Sequence, residues 1–480
     1  MSSFNTSNLP LSVTHTDAIP AGFICSSVIV DNHTSSDFNP IKRTKMYGCM
    51  GPTEREPTYV DSWIREDGEV IDPLTKTRLK YVTSPSIISD ELMDMATLML
   101  STNISTLAGP GQRAFRLTTK EALEGAYDEA RFSTKTSPGG KYIMQGITKK
   151  MIVKLDDESL DFSSEHGQRF LADIEKATFE RENGIISLSY INEFSKAELL
   201  PWEKIWDGKL RLICGEDADQ VIADKKEFAC VNYLLKKLPI SSGLCVGYDP
   251  LSMDSHVKTM LLKIYNRIVP GDNGGWDTTM WNRVFHSIKD FIRIVFYDLT
   301  DIHWKAMETS IENIFYRQHL AHVKAINFNG DKMSIDKQLV IYEWAHGQIS
   351  GSYTTLIFNT IGDAIIIRYM ILCLYVEHKF NIKYYEYDSK VHGPIDIMSI
   401  ENNMVCFVLG DDISVSISEE LFYVTFTDLQ RVYSEHNMKF TTDSKDDNLN
   451  HYLTISDYDC SPTNHTFCKR FTVWIPEANR

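Results

Sequence analysis

Met404-Val-Cys-Phe-Val-Leu-Gly410-Asp411-Asp412-Ile-Ser-Val-Ser-Ile417 is the stretch on which the fold turns. Met404 to Leu409 is an apolar strand, and Ile413 to Ile417 alternates apolar and hydroxylated residues with period two. Gly410-Asp411-Asp412 between them supplies turn chemistry, so the segment predicts a β-hairpin with two carboxylates at its tip. Ionised carboxylates are rarely core residues unless paired or bound to metal. A Gly-Asp-Asp turns up by chance in about one in ten chains of this length, and alone it reads as a turn.

The residues upstream change that balance. Asp272-Asn-Gly-Gly-Trp-Asp277 sets two acids five apart, after a short strand at Arg267 to Val269. The helix that follows carries Trp281, Val284, Phe285, Ile288, Phe291, Ile292 and Val295 at i, i+3, i+4 spacing. Between the acidic stretches lies Gly347-Gln-Ile-Ser350-Gly351-Ser-Tyr-Thr-Thr355-Leu-Ile-Phe-Asn359. It leads into a helix, from about Thr354 to Val376, that is apolar nearly all round and so expected to be buried. Thr355 and Asn359 at i, i+4 share a face and can line a sugar pocket. A capped core helix accounts for Ser350 but does not explain an Asn on an otherwise apolar helix.

Earlier in the chain, Trp202–Trp206 and Lys209–Ile213 flank Asp207-Gly208, a pair suited to a type I′ turn, which predicts a second hairpin. On its strands Lys204, Lys209 and Arg211 would share one face, with Ile205, Leu210 and Leu212 on the other. That face is either a solvated exterior or a site for a triphosphate or RNA backbone. Helices are predicted from Ile87 to Leu107 and from Thr118 to Ala130, a break at Ser137-Pro138-Gly139-Gly140, and an extended arm over residues 1–60.

Taken in order, D-x4-D, S-G-x3-T-x3-N and G-D-D resemble motifs A, B and C of the picornavirus-like RNA-dependent RNA polymerases. The resemblance covers about residues 118–471. Glu121-Ala-Leu-Glu-Gly125 and Thr134-Lys-Thr-Ser-Pro-Gly139 look like that family's fingers signature, and Lys196-Ala-Glu-Leu with Gly208-Lys-Leu-Arg211 looks like motif F. Gly243-Leu-Cys-Val-Gly247-Tyr-Asp-Pro250 resembles the segment before motif A, Phe440-Thr-Thr-Asp-Ser-Lys445 motif D, and Phe467-Cys-Lys-Arg470-Phe motif E. The resemblance implies an α+β right-hand fold. Residues 1–250 would form fingers with arm and fingertips, 251–325 and 347–471 the palm, 326–346 a fingers insertion, and 472–480 the start of a thumb otherwise absent. It also implies roles. Asp272 and Asp411, with Asp412 close by, would hold two Mg²⁺ ions, for which Mn²⁺ can substitute. Asp277, Ser350, Gly351, Thr355 and Asn359 would bind the ribose of the incoming ribonucleoside triphosphate. Lys196, Lys204, Lys209 and Arg211 would cradle its phosphates, Lys445 would protonate pyrophosphate, and Lys469 and Arg470 would touch the RNA primer. Four positions depart from the pattern: Ala197 and Leu200 stand where Asp and Arg are usual, Asn273 replaces an aromatic, and Gln348-Ile349 replaces a residue pair with Pro. The expected partners are template and primer RNA and viral replication proteins, in the host cytoplasm at membrane-associated complexes.

Bulk composition narrows the alternatives. A net charge of −16 argues against a protein that coats nucleic acid indiscriminately, but not against a basic channel inside an acidic exterior. Nine cysteines without regular spacing fit a reduced compartment, and His451, Cys460, His465 and Cys468 match no common zinc spacing. The Met-Ser-Ser-Phe-Asn-Thr start carries neither basic nor apolar segment, so no secretory signal is expected. No membrane span of its own is expected either, because Arg368 interrupts the Ala364–Val376 apolar run. Gly139-Gly140-Lys141 lacks P-loop spacing and Gly351-Ser352 makes no nucleophile elbow. Two rivals stay open: a reverse transcriptase, which Asp277 with Asn359 disfavours, and a weakly catalytic, thumbless RNA-binding scaffold.

Overall fold

The computed structural model describes residues 23–26, 55–57, 63–65, 70–82 and 87–441, the last with short interior gaps, together with 466–467 and 470–471. The chain divides into two units. The first holds Met1–Ser84, Phe132–Ala223 and Thr309–Tyr353; the second holds Pro85–Arg131, Asp224–Glu308 and Thr354–Arg480.

The first unit is organised by a five-stranded sheet in the order Phe23–Ser26, Lys332–Trp344, Gln318–Asn329, Tyr190–Ser195, Leu212–Gly215. Every pairing is antiparallel except Gln318–Asn329 with Tyr190–Ser195, where His319 lies opposite Ile191. The register sets Glu193 opposite Cys214 and brings His319 beside them from the next strand. All three are buried. Arg78 Nε donates to Glu193 Oε2 at 2.8 Å and His319 Nδ1 meets Oε1 at 2.9 Å, so both carboxylate oxygens are taken. Arg317 and Glu216, likewise buried, pair at 2.7 Å. Buried charges persist only when matched in this way.

The predicted hairpin at 202–213 is not formed. Trp202–Trp206 is a short helix, entered from Pro201, and Leu212–Gly215 pairs instead with Tyr190–Ser195. The Asp-Gly pair ends the helix: Gly208 has φ +65°, its N–H reaches the Ile205 carbonyl at 2.8 Å, and the Lys209 N–H reaches Lys204 at 2.8 Å. That is a Schellman cap, which needs the same left-handed glycine that a type I′ turn needs. Alternation does hold beyond it, with Lys209 and Arg211 exposed and Leu210 and Leu212 buried. Lys204 is exposed on the helix rather than on a shared strand face.

The second unit carries a four-stranded antiparallel sheet, ordered Met404–Leu409, Asp412–Ile417, Arg267–Gly274, Lys439–Thr441. The predicted 404–417 hairpin is its first pair. The Arg267 strand runs to Gly274, further than the predicted Val269, because Gly271 lets it pass the Phe440 ring, which lies 2.1 Å from where a Cβ would stand. Outside the hairpin, Gly243 and Leu244 extend the sheet: Val408 N–H donates to the Gly243 carbonyl at 2.8 Å and Cys245 N–H to Val408 at 2.9 Å.

Thr355–Phe380 is the central helix of this unit, buried almost throughout, as its all-round apolar sequence requires. It is long and apolar enough to cross a membrane, but it is covered by protein. Its interior Arg368 forms a buried bidentate pair with Glu401, at 2.6 and 2.8 Å. Asp90–Ala108 and Asn282–Val295 pack on it and on each other, both close to their predicted bounds. Ser89 caps the first and Gly109 ends it. The helix predicted over Thr118–Ala130 is shorter, Thr119–Glu124: a Thr118/Glu121 capping box starts it and Gly125, at φ +89°, stops it. The expected absence of a thumb concerns residues outside those described.

Candidate active site

Leu409 pairs with Asp412, leaving Gly410-Asp411 as a two-residue turn with positive φ (+67°) on its first residue, the type II′ pattern. Asp412 lies opposite Asp272 on the neighbouring strand. The Asn273 N–H donates to the Asp411 carbonyl at 3.0 Å, which ties the turn to the end of the Asp272 strand. Three acids from two separate stretches thus meet at one sheet end. Asp411 is exposed, and Asp272 and Asp412 are half-buried.

One turn of the central helix holds this end in place. Asn359 Nδ2 donates to Asp277 Oδ1 at 2.7 Å, and Thr360 Oγ1 accepts from the Gly410 N–H at 3.0 Å. Asn273 Nδ2 donates to Asp363 Oδ1. Asp363 is fully buried. Its carboxyl is pushed well above the usual range, first by burial and then by the like charge of Asp411, with Asp272 and Asp412 adding to it. The three sheet-end acids and burial all disfavour its ionised form. Tyr433, also buried, lies close to Asn273 and Asp363. The sequence reading passed over Asp363. The available signal was a second polar residue, four beyond Asn359, on an apolar helix.

Thr355 opens that helix and is half-buried. Ser350 and Gly351, just before it in sequence, belong to the first unit. There Ser350 Oγ accepts from the Cys214 N–H at 3.2 Å and donates to the Leu212 carbonyl at 3.3 Å. Gly351 bridges Gly215, and a Cβ on it would lie 2.1 Å from the Cys214 carbonyl, so glycine is required by close backbone approach.

In the same unit Lys209 pairs with Asp207 at 3.1 Å. Arg211 Nε donates to Glu198 Oε1 at 2.9 Å, its second nitrogen bonds the other oxygen, and the Glu198 carboxyl is held below its usual value as a result. The Lys196 N–H donates to the Arg211 carbonyl at 2.8 Å, so the Lys196 and Arg211 segments run side by side. Both cations are mostly exposed, 55% and 61% for Lys209 and Arg211. Lys445, Lys469 and the cysteines and histidines at 451–468 lie outside the described residues. Arg470 lies in a two-residue strand whose side chains are not among those described.

The acid set fits a hard divalent cation. Three carboxylates lie at one sheet end, and oxygen donors of this kind suit Mg²⁺ or Mn²⁺.

Comparison with known proteins places this arrangement. The model of the viral RNA-dependent RNA polymerase family matches residues 57–474. The replicase polyprotein of cricket paralysis virus is 25% identical over 67% of the chain, and that of Drosophila C virus 23% over 72%. The genome polyprotein of human enterovirus 70 is 24% identical over 62%. The chain spans less than a fifth of each polyprotein: 18%, 19% and 12%. Among solved structures, the Sicinivirus 3Dpol RNA dependent RNA polymerase has the same fold, with a TM-score of 0.69 and 17% identity over 94% of this chain and 81% of that one. With its motifs in order, its acids at one sheet end and a family match over most of its length, the chain belongs to the viral RNA-dependent RNA polymerases, with their right-hand fold.

Proposed function

We propose that the chain joins ribonucleoside triphosphates to an RNA 3′-hydroxyl under the direction of an RNA template, for replication of a viral genome. The observation that carries this is the register that sets Asp412 opposite Asp272 with Asp411 at the adjoining turn. Asp272 and Asp411 would hold two Mg²⁺ ions, with Asp412 beside them. Bound there, the ions would lower the pKa of the attacking hydroxyl and neutralise the leaving pyrophosphate.

The chain's own groups supply position. Asn359 Oδ1 is buried and makes no hydrogen bond, while its Nδ2 holds Asp277. An unpaired buried acceptor is costly, and a ribose 2′-hydroxyl would satisfy it, which favours ribonucleotides over the deoxy substrates of a reverse transcriptase. Ser350 and Thr355 would offer hydroxyls to the ribose, as the order of the motifs implies. Lys196, Lys204, Lys209 and Arg211 would exchange carboxylate partners such as Asp207 and Glu198 for the triphosphate. Lys445 would donate the proton to pyrophosphate, and Lys469 and Arg470 would steady the primer.

The test is primer-extension with labelled ribonucleotides or deoxyribonucleotides on an RNA template. Ribonucleotide incorporation should dominate in wild type and the preference should shrink in Asp277→Ala. Equal use of both substrates by wild type would contradict the sugar assignment. Incorporation surviving in Asp272→Ala would contradict the metal assignment.

A further inference from the structure

We propose that Asn273 and Asp363 form a positioning pair that fixes Asp272 against the Asp411 turn and thereby sets how tightly the acid cluster holds Mg²⁺. The inference rests on the reading that these acids bind divalent cations. Asn273 faces two ways: its backbone N–H reaches the Asp411 carbonyl at 3.0 Å and its side-chain nitrogen reaches Asp363. Both residues are buried, at 2% and 0% exposure. The bond therefore links the central helix to the residue next to Asp272 and, through that residue's backbone, to Asp411.

The same helical turn holds the other two anchor points. Asn359 takes Asp277, and Thr360 takes the Gly410 N–H at 3.0 Å. Residues 359, 360 and 363 thus fasten one helical turn to Asp277 just beyond the Asp272 strand, to the hairpin turn, and to Asn273 within that strand. A plain packing role would be served by any apolar residue of similar size. Here a carboxyl is instead placed against Asn273, and its Oδ1 accepts the side-chain amide. What the position needs is an acceptor for Asn273, and the carboxyl provides one. Neither partner is an expected metal ligand; together they act through Asp272 and Asp411. Mg²⁺ demands near-ideal octahedral geometry at about 2.0 Å, so small shifts of its ligands weaken it sharply. Loss of the groups that orient metal ligands typically costs 10- to 100-fold in affinity, roughly.

The experiment measures metal binding without turnover. Mn²⁺ binding to the full chain is followed by electron paramagnetic resonance, Mg²⁺ affinity is obtained by competition, and thermal unfolding is run in parallel. Asp363→Leu and Asn273→Ala should each weaken Mg²⁺ about tenfold or more. The double variant should be no worse than either, because one link is removed in all three. Asp363→Asn keeps an acceptor for the Asn273 amide and should bind Mg²⁺ within about twofold of wild type, which keeps the test decisive if the leucine variant does not fold. Unchanged Mg²⁺ affinity in folded Asp363→Leu or in Asn273→Ala would overturn the proposal, as would additive losses in the double variant. A wild type that polymerises while these variants bind Mg²⁺ normally would defeat the pair alone. A wild type that neither binds Mg²⁺ nor polymerises would defeat the underlying reading.

Discussion

Asn359 sits on a helix whose neighbours Ile357, Phe358, Ile361 and Ala364 are all buried apolar residues, and it spends its one amide on Asp277. Substitution Asn359→Leu keeps the volume and deletes both the bond and the unpaired acceptor. The preference for ribo- over deoxyribonucleotides should fall about tenfold, the worth of a single hydrogen bond near 1.4 kcal/mol; competition between the two substrates in one extension reaction measures it. Gly351→Ala is expected to be costly for a different reason. Its Cβ would lie 2.1 Å from the Cys214 carbonyl, so the loop must lift from the strand, destabilising the chain by about 1–3 kcal/mol in denaturant unfolding. Asp272, Asp277, Asp411, Asp412 and Asn359 were legible in the sequence because charged or amide side chains at fixed intervals in apolar surroundings have few structural uses. Asp363 was passed over, since its place four beyond Asn359 on an apolar helix does not show that it faces Asn273 until the strand beside it is known. Ser350 was legible as a helix-approach residue, but its bonds to Leu212 and Cys214 depend on a strand more than a hundred residues away.

Among the elements, the 404–417 hairpin followed from its alternation and the central helix, expected to about Val376, from its all-round apolar run, whereas the 202–213 segment did not follow from its spacing. Asp207-Gly208 marks a left-handed glycine correctly, but a helix end and a hairpin turn both use one. The deciding facts were the competing partner of Leu212–Gly215 and the entry from Pro201, neither of which short-range spacing reveals. The Thr118–Ala130 helix was overextended because Gly125 stops it while Ala126 and Ala130 still suit a helix. The central helix carries its own test. Arg368→Met leaves the Glu401 carboxylate buried without its cation, with only the neutral Asn103 amide still donating to it at 2.9 Å among the described residues. It should cost about 3–5 kcal/mol, whereas Arg368→Met with Glu401→Leu should recover most of that loss. Urea unfolding of the three proteins decides it, and equal stability of single and double variants would contradict the pairing argument.

For the whole molecule, stability should depend on pH through buried imidazoles. His319, His303 and His436 are each held below the ordinary value of 6.5, with burial the main cause in every case. The unfolded chain therefore takes up protons that the native chain refuses. Their contribution is full above about pH 6.5 and is lost as pH falls below it. His319→Gln should show a shallower loss of Tm than wild type between about pH 6.5 and 5; parallel curves would contradict the assignment. At the acid cluster the sheet end, the hairpin turn and the central helix are joined through Asn359 and Thr360. The most direct measurement is Mg²⁺-dependent extension of an RNA primer on a mixed-sequence RNA template by wild type beside Asp411→Ala, with both confirmed as folded. The account predicts a complementary RNA product from wild type and none from the variant. A product of equal yield from Asp411→Ala, or no template-dependent product from folded wild type supplied with Mg²⁺ or Mn²⁺, would contradict it.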